Sequence, residues 1–290
     1  KGDVTKVSDV YWDSSAGPAI ICDFTPPRGI ELGSLSDARD LNVDFISVAY
    51  NPGAAVSVDS AMFAYVLKRD TGKDVVFTVA TRDMNRLALE SYVLGCSTLG
   101  LENILVVGGD PFSQADLKRI LPVNDFNTTD LMRALTAMNQ GLDFRGRTLS
   151  RATHLCIGGA VDLARNMSKE AILTNSKIRS GAQYFVTQPI FDASYKKTFE
   201  DTYLSVTGNS FTHPIFYGLQ ILVNGGVKFG PVPDQITKEL RIGRDGVDIA
   251  LELWAEFKEA GIGGVYLMPP IEKGGIRDYE ATRRFLELAC

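Results

Sequence analysis

Residues 75–110, VVFTVATRDMNRLALESYVLGCSTLGLENILVVGGD, decide the fold. The stretch begins and ends with short runs, Val75–Ala80 and Ile104–Gly109, that are apolar on both faces. Such runs are typical of parallel strands covered by helices. Between them, Asp83–Leu99 carries apolar residues at helical spacing. The stretch therefore predicts a strand–helix–strand unit of a parallel sheet.

The same unit recurs along the whole chain. We predict eight strands, at Ala19–Phe24, Phe45–Tyr50, Val75–Ala80, Ile104–Gly109, His154–Ala160, Tyr184–Gln188, Ile215–Leu222 and Gly264–Pro269. Further helices are expected at Asp245–Ala260, at Ile276–Leu288 and near Thr129, with Thr128 or Thr129 as N-cap. Eight alternating units fit a closed, single-domain α/β barrel, the (βα)8 or TIM barrel, better than an open doubly wound sheet. We assign 1–18 to an N-terminal extension and 19–290 to the barrel.

Composition narrows the function classes. The chain has 290 residues, 45% of them hydrophobic and 22% charged, with no apolar run near the ~20 residues of a membrane helix. A net charge of −5 without a basic cluster predicts no nucleic-acid partner. Cys22 and Cys156 lie in apolar runs and are expected to be buried thiols. No secretory signal is apparent, so we expect a cytoplasmic protein. The chain has only two histidines, which excludes a His-rich metal site. We predict that no metal is bound. A magnesium site made of carboxylates alone is the one type of metal site that stays open.

Polar residues and glycines follow the predicted strands, and ligands of such barrels bind at the carboxyl ends of the strands. Among them, Asp23 is the strongest candidate for a functional residue. Burial of a carboxylate among apolar neighbours costs several kcal/mol, which is not expected at a position without a function. Other readings stay open: Asp110 could cap a turn, and glycine pairs could relieve crowding between strands. Arg82 and Asp83 could pair with other surface charges or start the following helix. The long connection 110–127 is expected to cover a ligand.

Five motifs in order resemble the methylenetetrahydrofolate reductase family. They are Thr81-Arg-Asp-Met-Asn, Gly108-Gly-Asp-Pro, Ile157-Gly-Gly-Ala-Val, Gly181-Ala-Gln-Tyr-Phe-Val-Thr-Gln-Pro-Ile-Phe-Asp192 and Gly264-Val-Tyr-Leu-Met-Pro-Pro270. Lys177 precedes Gln183 by six residues, also as in the family. The Gly-Gly-Ala-Val form is similar to the branch of stand-alone and methyltransferase-fused bacterial enzymes. The likeness covers nearly the whole chain after Ala19.

The resemblance implies a flavin at the barrel mouth, usually FAD with FMN as the other form, stacked against a folate. It implies that Asp23, where the family normally has Glu, protonates the folate nitrogen, and that Asp110 lies between flavin and pterin. Gln188 would hydrogen-bond the pterin, and Lys177 and Thr81 would hold the flavin chain. Thr78 stands where a His is common. Further predicted substrate contacts are Gln220, Tyr50 and Asn51; further cofactor contacts are Thr78, Arg82, Gly108, Gly109, Gly158, Gly159 and Ala160.

The implied function is a flavin-dependent reductase that interconverts 5,10-methylenetetrahydrofolate and 5-methyltetrahydrofolate in either direction. The alternatives are a folate-binding methyltransferase without redox chemistry, a partner-dependent subunit, and a flavin-free reductase that takes hydride directly from a nicotinamide. The electron donor stays open between NAD(P)H, ferredoxin and a partner flavoprotein. No separate GxGxxG unit follows a strand, which is consistent with a nicotinamide that visits the flavin site rather than binding a domain of its own. A homo-oligomer and a subunit of a larger complex also stay open.

Overall fold

A computed structural model describes residues 4–13 and 17–289. The described residues form eight parallel strands that close into a barrel in chain order, each paired with the next and β8 with β1. The strands are β1 Ala19–Phe24, β2 Phe45–Val48, β3 Val75–Ala80, β4 Asn103–Val107, β5 Cys156–Val161, β6 Tyr184–Pro189, β7 Ile215–Gln220 and β8 Gly264–Met268. The predicted (βα)8 barrel is confirmed.

Helices alternate with the strands and cover the outside of the barrel. They are α1 Val7–Asp13, α2 Leu35–Arg39, α3 Ser60–Thr71, α4 Arg86–Thr98, α5 Thr128–Asn139, α6 Met167–Arg179, α7 Ser194–Thr207, α8 Asp234–Arg241, α9 Gly246–Glu259 and α10 Tyr279–Ala289. Short 3-10 turns at Pro52–Ala54 and Asp116–Lys118 lie in the loops after β2 and β4.

Helix boundaries differ from the sequence expectations for reasons of capping. The start of α5 is capped by Asn127, whose Oδ1 accepts a hydrogen bond from the Asp130 amide at 2.8 Å. The predicted cap at Thr128 or Thr129 is therefore wrong, because both lie inside the first turn. Likewise α4 begins at Arg86 rather than Asp83, because Asn85 accepts from the Ala88 amide at 2.9 Å.

Two hydrophobic layers share the barrel wall because successive side chains of a strand point to opposite faces. The outer layer packs the strands against the helices. The inner layer fills the barrel with large side chains, among them Phe45, Tyr184 and Phe216. Gly158 makes this possible, since a β-carbon there would lie 2.2 Å from the Tyr184 ring. Cys22 and Cys156 are both buried thiols, as expected.

The described part of the predicted extension closes the amino end of the barrel. Val7 is fully buried in the inner layer. Asn103, at the start of β4, accepts from the Val7 amide at 3.2 Å and donates to the Thr5 carbonyl at 2.8 Å. Of the helices in the described ranges, none has the length and apolar character needed to traverse a bilayer.

Candidate functional site at the carboxyl mouth of the barrel

Small side chains occupy the upper inward positions of four strands. Alternation places Ser47, Thr78 and Gly218 two residues beyond inner-layer residues of their strands, and Ala160 two residues beyond Gly158. Ser47 and Thr78 are themselves buried, at 0% and 7% exposure. The carboxyl end of the barrel is called the mouth below.

Asp23 lies in the wall of the mouth, and both of its carboxylate oxygens contact other side chains. It is 8% exposed. One carboxylate oxygen accepts a hydrogen bond from the Tyr266 hydroxyl at 2.9 Å, and the other forms an ion pair with Arg277 Nη2 at 2.7 Å. Ser47 completes the group, since the Tyr266 hydroxyl lies 3.4 Å from its Oγ. Burial first, and then the negative charge of Asp23, raises the pKa of Tyr266, so this phenol stays a hydrogen-bond donor.

Arg277 reaches Asp23 from a hairpin in the loop after β8. Ile271 and Arg277 form an antiparallel bridge, closed by Glu272 donating to Ile276 at 2.8 Å. Gly274 and Gly275 form the turn with positive φ angles of 105° and 90°, a region that favours glycine. Arg277 Nε also donates to Thr25 Oγ1. The predicted helix start at Ile276 is wrong because this hairpin delays α10 to Tyr279.

One nitrogen of the same guanidinium has no acceptor among the described residues. Nη1 of Arg277 is buried and lacks a hydrogen-bond partner within the described ranges, although the side chain is only 7% exposed. A buried donor left unsatisfied costs about 1–3 kcal/mol. An acceptor atom of a ligand seated beside Asp23 would remove that cost.

Asp110 follows β4 and is exposed at the rim. Its Oδ2 accepts from the Gly53 amide at 2.7 Å, which ties the loop after β4 to the loop after β2. The other carboxylate oxygen has room for a ligand donor. Asp110 can therefore hold the loop with one carboxylate oxygen and bind a ligand with the other, so the two interpretations of this residue are compatible.

Arg82 is committed to protein contacts. Its guanidinium holds Asp83 through two bonds of 2.6 and 2.7 Å, donates to the Asp110 carbonyl, and lies 4.0 Å from the centre of the Phe112 ring. Asp83 also hydrogen-bonds Tyr50, and burial first and then the Asp83 charge raises the pKa of Tyr50 to about 12. Arg82 thus anchors the loop 110–127, and its predicted contact with a cofactor stays a prediction.

The predicted amide contacts fall into two kinds. Gln188 is the exposed residue of β6, next to the irregular register between Val186 and Pro189. Gln220 is buried, and both ends of its amide are used: Nε2 donates to Val227 at 2.9 Å and Oε1 accepts from Phe229 at 3.0 Å. Gln188 is open to a ligand, whereas Gln220 shapes the loop after β7.

Asn51 and Thr81 lie at the border of the mouth and form hydrogen bonds with nearby backbone. Asn51 has a left-handed conformation with φ of 39°, and its Oδ1 accepts from the Ser57 amide at 3.1 Å. Thr81 is buried, and its amide donates to Val107 at 3.1 Å. Both therefore fix loop geometry next to Arg82.

The four predicted cofactor-binding glycines differ in what surrounds them. Gly108 has open space where a side chain would begin, and Gly109 has φ of +90° beside Ala80. At Gly158 and Gly159 the missing side chains make room for protein groups, the Tyr184 ring at Gly158 and the Met132 methyl at Gly159. Close approach of a ligand to backbone is therefore available at Gly108, whereas at Gly109 the same space is filled by Ala80 and Arg82. Crowding by protein groups explains the pair in β5.

Lys177 lies behind β5 rather than in the mouth. Its ammonium donates to the Ala160 carbonyl and is 4.0 Å from Glu170. Burial lowers the pKa of Lys177 against the opposing effect of Glu170. The lysine is thus close to the end of β5, and binding of a cofactor chain there stays a prediction.

Sequence reasoning missed Tyr266, Ser47 and Arg277. For two of them a signal was available: Tyr266 follows Gly264 by two positions on β8, and Ser47 follows Phe45 by two positions on β2, so both point inward. Arg277 has no such periodicity. The neighbouring Gly274-Gly275 could only have predicted a turn.

A separate cavity of about 950 Å³ lies at the amino end of the barrel, between α1, the start of β1 and α9. It is lined by Lys6, Asp44 and Trp254 among others. We place the chemistry at the carboxyl mouth instead, because the active sites of these barrels are built from the loops that follow the strands. Among the described residues, no group of three or more His, Cys, Asp or Glu side chains is placed to hold a metal ion.

The fold is that of a (βα)8-barrel protein, and its candidate ligand site is at the carboxyl mouth. The family model for methylenetetrahydrofolate reductase matches residues 14–226. The chain belongs to this family, and its chemistry is accordingly folate-related. The match ends before β8 and the hairpin that carries Arg277.

A solved structure shares the architecture. It is described as an uncharacterized protein from Clostridium thermocellum that binds two copies of 5-methyl-5,6,7,8-tetrahydrofolic acid. The TM-score is 0.66 at 16% sequence identity, with 94% of this chain and 96% of that chain covered. At this identity the similarity supports the fold.

Proposed function

We propose that this chain is a flavin-dependent oxidoreductase that interconverts 5-methyltetrahydrofolate and 5,10-methylenetetrahydrofolate. The observation that carries the proposal is the buried carboxylate of Asp23 at the carboxyl end of β1, in a barrel of this family. A carboxylate in that position can exchange a proton with a ligand out of contact with bulk water.

Flavin is supported by the shape and polarity of the mouth. Gly108 has open space where a side chain would begin, so backbone after β4 can approach a flat ring. The Thr78 hydroxyl can both donate and accept, which suits a neutral heterocycle with donors and acceptors. A bound flavin would supply hydride exchange, which no side chain of the protein can provide.

Folate is supported by the groups left open around the mouth. The Asp110 carboxylate and the Gln188 amide offer acceptors and a donor to the edge of a pterin. Arg277 Nη1 offers a further donor beside Asp23. The Clostridium thermocellum structure of the same fold binds 5-methyltetrahydrofolate, which makes this folate the first ligand to test.

The protein's own residues would then divide the work. Asp23 exchanges the proton of the folate nitrogen that gains or loses its bond to the one-carbon unit. Tyr266 and Arg277 hold that carboxylate in place. Asp110 and Gln188 orient the pterin, and the loop 110–127, anchored by Arg82, restricts water.

The test is the visible spectrum of the purified protein, recorded without oxygen after reconstitution with FAD or FMN. Addition of 5-methyltetrahydrofolate should bleach the flavin absorbance, and Asp23→Ala should bleach far more slowly. A matched control is Asp201→Ala, in an exposed pair on α7. A protein that binds no flavin, or whose flavin stays oxidised, would contradict the proposal and favour methyl transfer without redox chemistry or a partner-dependent subunit.

A further inference from the structure

Lys177 is a buried lysine of α6, and its side chain runs along the outer face of β5. Gly159 is one of the outward positions of that strand, because Ile157 and Val161, two residues to either side, belong to the outer layer. A β-carbon added to Gly159 would lie 3.4 Å from Lys177 Cδ. The stem of the lysine is therefore separated from the barrel interior by the strand itself. Its ammonium reaches the end of the strand and donates to the Ala160 carbonyl.

Glu170 holds the same strand end at a second point. It precedes Lys177 by about two turns on the same face of α6. Its Oε1 accepts from the Asp162 amide at 3.2 Å and lies 4.0 Å from the Lys177 ammonium. The two side chains thus contact the backbone on both sides of Val161, the last residue of β5. We expect this strand end to be held more rigidly than the loop that follows it.

The charge of Lys177 is already compensated inside the protein. The side chains of Lys177 and Glu170 are both less than one-tenth exposed. A phosphate placed at the ammonium would also approach the Glu170 carboxylate, and two anions close together in a buried site repel each other. Ala160 is different, because it is partly exposed at an upper inward position of β5. A shift of its backbone would move the wall of the ligand site.

We infer that Lys177 is a positioning residue, which together with Glu170 holds Ala160 at the mouth and does not contact the phosphate of a flavin. The inference rests on the proposed function, because it concerns how the protein shapes its flavin site. The role that the family resemblance implies for this lysine thereby changes from direct contact to support of the backbone. Flavins with and without phosphate should therefore depend on Lys177 to the same extent.

The first experiment needs no flavin. Hydrogen exchange at the Asp162 amide, followed by NMR in the ligand-free protein, reports how firmly the end of β5 is held. Lys177→Met should speed this exchange about tenfold, the factor that corresponds to one lost hydrogen bond of ordinary strength. Lys197→Met, in an exposed ion pair on α7, is the control and should exchange as wild type does. The same exchange rate in Lys177→Met and wild type would overturn the inference.

The second experiment compares riboflavin, which has no phosphate, with FMN and FAD. Quenching of flavin fluorescence gives the dissociation constant of each ligand. Lys177→Met should weaken the binding of all three by one common factor, about tenfold for the loss of one backbone contact. Weaker binding of FMN and FAD with unchanged binding of riboflavin would show that the lysine contacts phosphate. Unchanged binding of all three would show that Ala160 does not depend on it. Either result contradicts the inference.

Glu170→Gln distinguishes the two roles by the sign of its effect. The variant keeps the size of the side chain and removes its charge. A lysine that binds phosphate would hold FAD more tightly once the neighbouring carboxylate is neutral, so a rise in FAD affinity relative to riboflavin would contradict the inference. We expect no such rise. This variant also decides if Lys177→Met does not fold. A wild-type protein that binds none of the flavins contradicts the proposed function, and hydrogen exchange then decides whether Lys177 holds β5.

Discussion

Asp23 and Asp110 are the same residue type at the same end of one barrel, and the protein treats them in opposite ways. Asp23 is buried, with a charged partner at 2.7 Å and a phenol at 2.9 Å. Asp110 is exposed and is held through one backbone amide, from Gly53 at 2.7 Å. The charge of Asp23 is therefore compensated before a ligand arrives, whereas that of Asp110 is left for the ligand.

This difference follows from the elements that carry the two residues. Asp23 is the fifth residue of a strand whose six positions are all buried, so its surroundings are set by neighbouring strands and a hairpin. Asp110 lies on a loop that Arg82 fastens through a carbonyl and an aromatic contact. We expect the first carboxylate to be rigid and the second to adjust with its loop, as loops on a rigid scaffold do.

The largest expected effect separates the two carboxylates by catalysis. Asp23→Asn removes the proton-exchanging group, and we expect the rate of flavin bleaching by 5-methyltetrahydrofolate to fall about 10²–10⁴-fold. Asp110→Asn keeps an oxygen for the Gly53 amide and loses one ionic contact, so we expect about tenfold weaker folate binding. Stopped-flow absorbance over a range of folate concentrations measures both. If the two variants lose the bleaching rate and the folate affinity to the same extent, Asp23 and Asp110 do not have different roles.

The second effect concerns the inner layer of large side chains below the mouth, which makes the Asp23 side rigid. Gly158→Ala would place a methyl group 2.2 Å from the Tyr184 ring, and Tyr184 cannot move without losing its bond of 3.1 Å to the Ile104 carbonyl. We expect a loss of about 1–3 kcal/mol in the free energy of unfolding, measured by urea denaturation. Gly95→Ala is the control: this position of α4 has open space, and alanine should stabilise the helix by up to ~1 kcal/mol. A Gly158→Ala protein as stable as wild type would show that this layer is not tightly packed.

The sequence predicted the barrel because its signal is repeated eight times. Each strand is short, apolar on both faces and followed by a helix or loop, so an error at one boundary does not change the topology. Errors occurred where side chains compete for a helix end, as at Asn127 against Thr128. The first residue of a helix depends on which side chain reaches a free backbone amide, and the composition of the segment does not reveal this.

The candidate site was predictable to the extent that it lies at strand ends. Asp23, Asp110 and Gln188 were found because a barrel brings its strand ends to one mouth. The commitment of Gln220 to its own loop, and of Arg82 to Asp83 and Asp110, depends on loop conformations that have no periodic signal. Arg277 depends on a hairpin of seven residues that folds back over β1, a long-range contact that local patterns cannot show.

A third effect tests the phenol beside Asp23. Tyr266→Phe removes one hydrogen bond to a carboxylate and leaves the ion pair with Arg277. We therefore expect the free energy of unfolding to fall by about 1.5–3 kcal/mol. Tyr217→Phe is the matched control, because the buried Tyr217 hydroxyl has no hydrogen-bond partner in the described part of the chain. Its removal should be neutral or stabilising. If Tyr266→Phe is as harmless as Tyr217→Phe, Asp23 does not depend on the phenol.

The smallest effect lies on the Asp110 side, at the pair of Arg82 and Asp83. The hydrogen-bonded Arg82 guanidinium lowers the pKa of Asp83. A carboxyl whose pKa is lowered on folding contributes stability above the ordinary Asp value of about 3.9 and loses it as the pH falls through the lower folded value. The difference in unfolding free energy between wild type and Asp83→Asn should therefore be constant above about pH 5 and shrink below about pH 4. A difference that stays constant from about pH 5 down to about pH 3 would contradict the pairing.

The same variant has a second, alkaline readout. Burial first, and then the negative charge of Asp83, raises the pKa of Tyr50 to about 12. Removing that charge should let the phenol ionise at a lower pH, while the contribution of burial keeps its pKa above the ordinary value of about 10. Ultraviolet difference titration of Asp83→Asn against Asp83→Asn/Tyr50→Phe measures this ionisation. A pKa of Tyr50 still near 12 would mean that burial alone sets it, and that Asp83 serves Arg82 and the anchored loop rather than the rim around Tyr50.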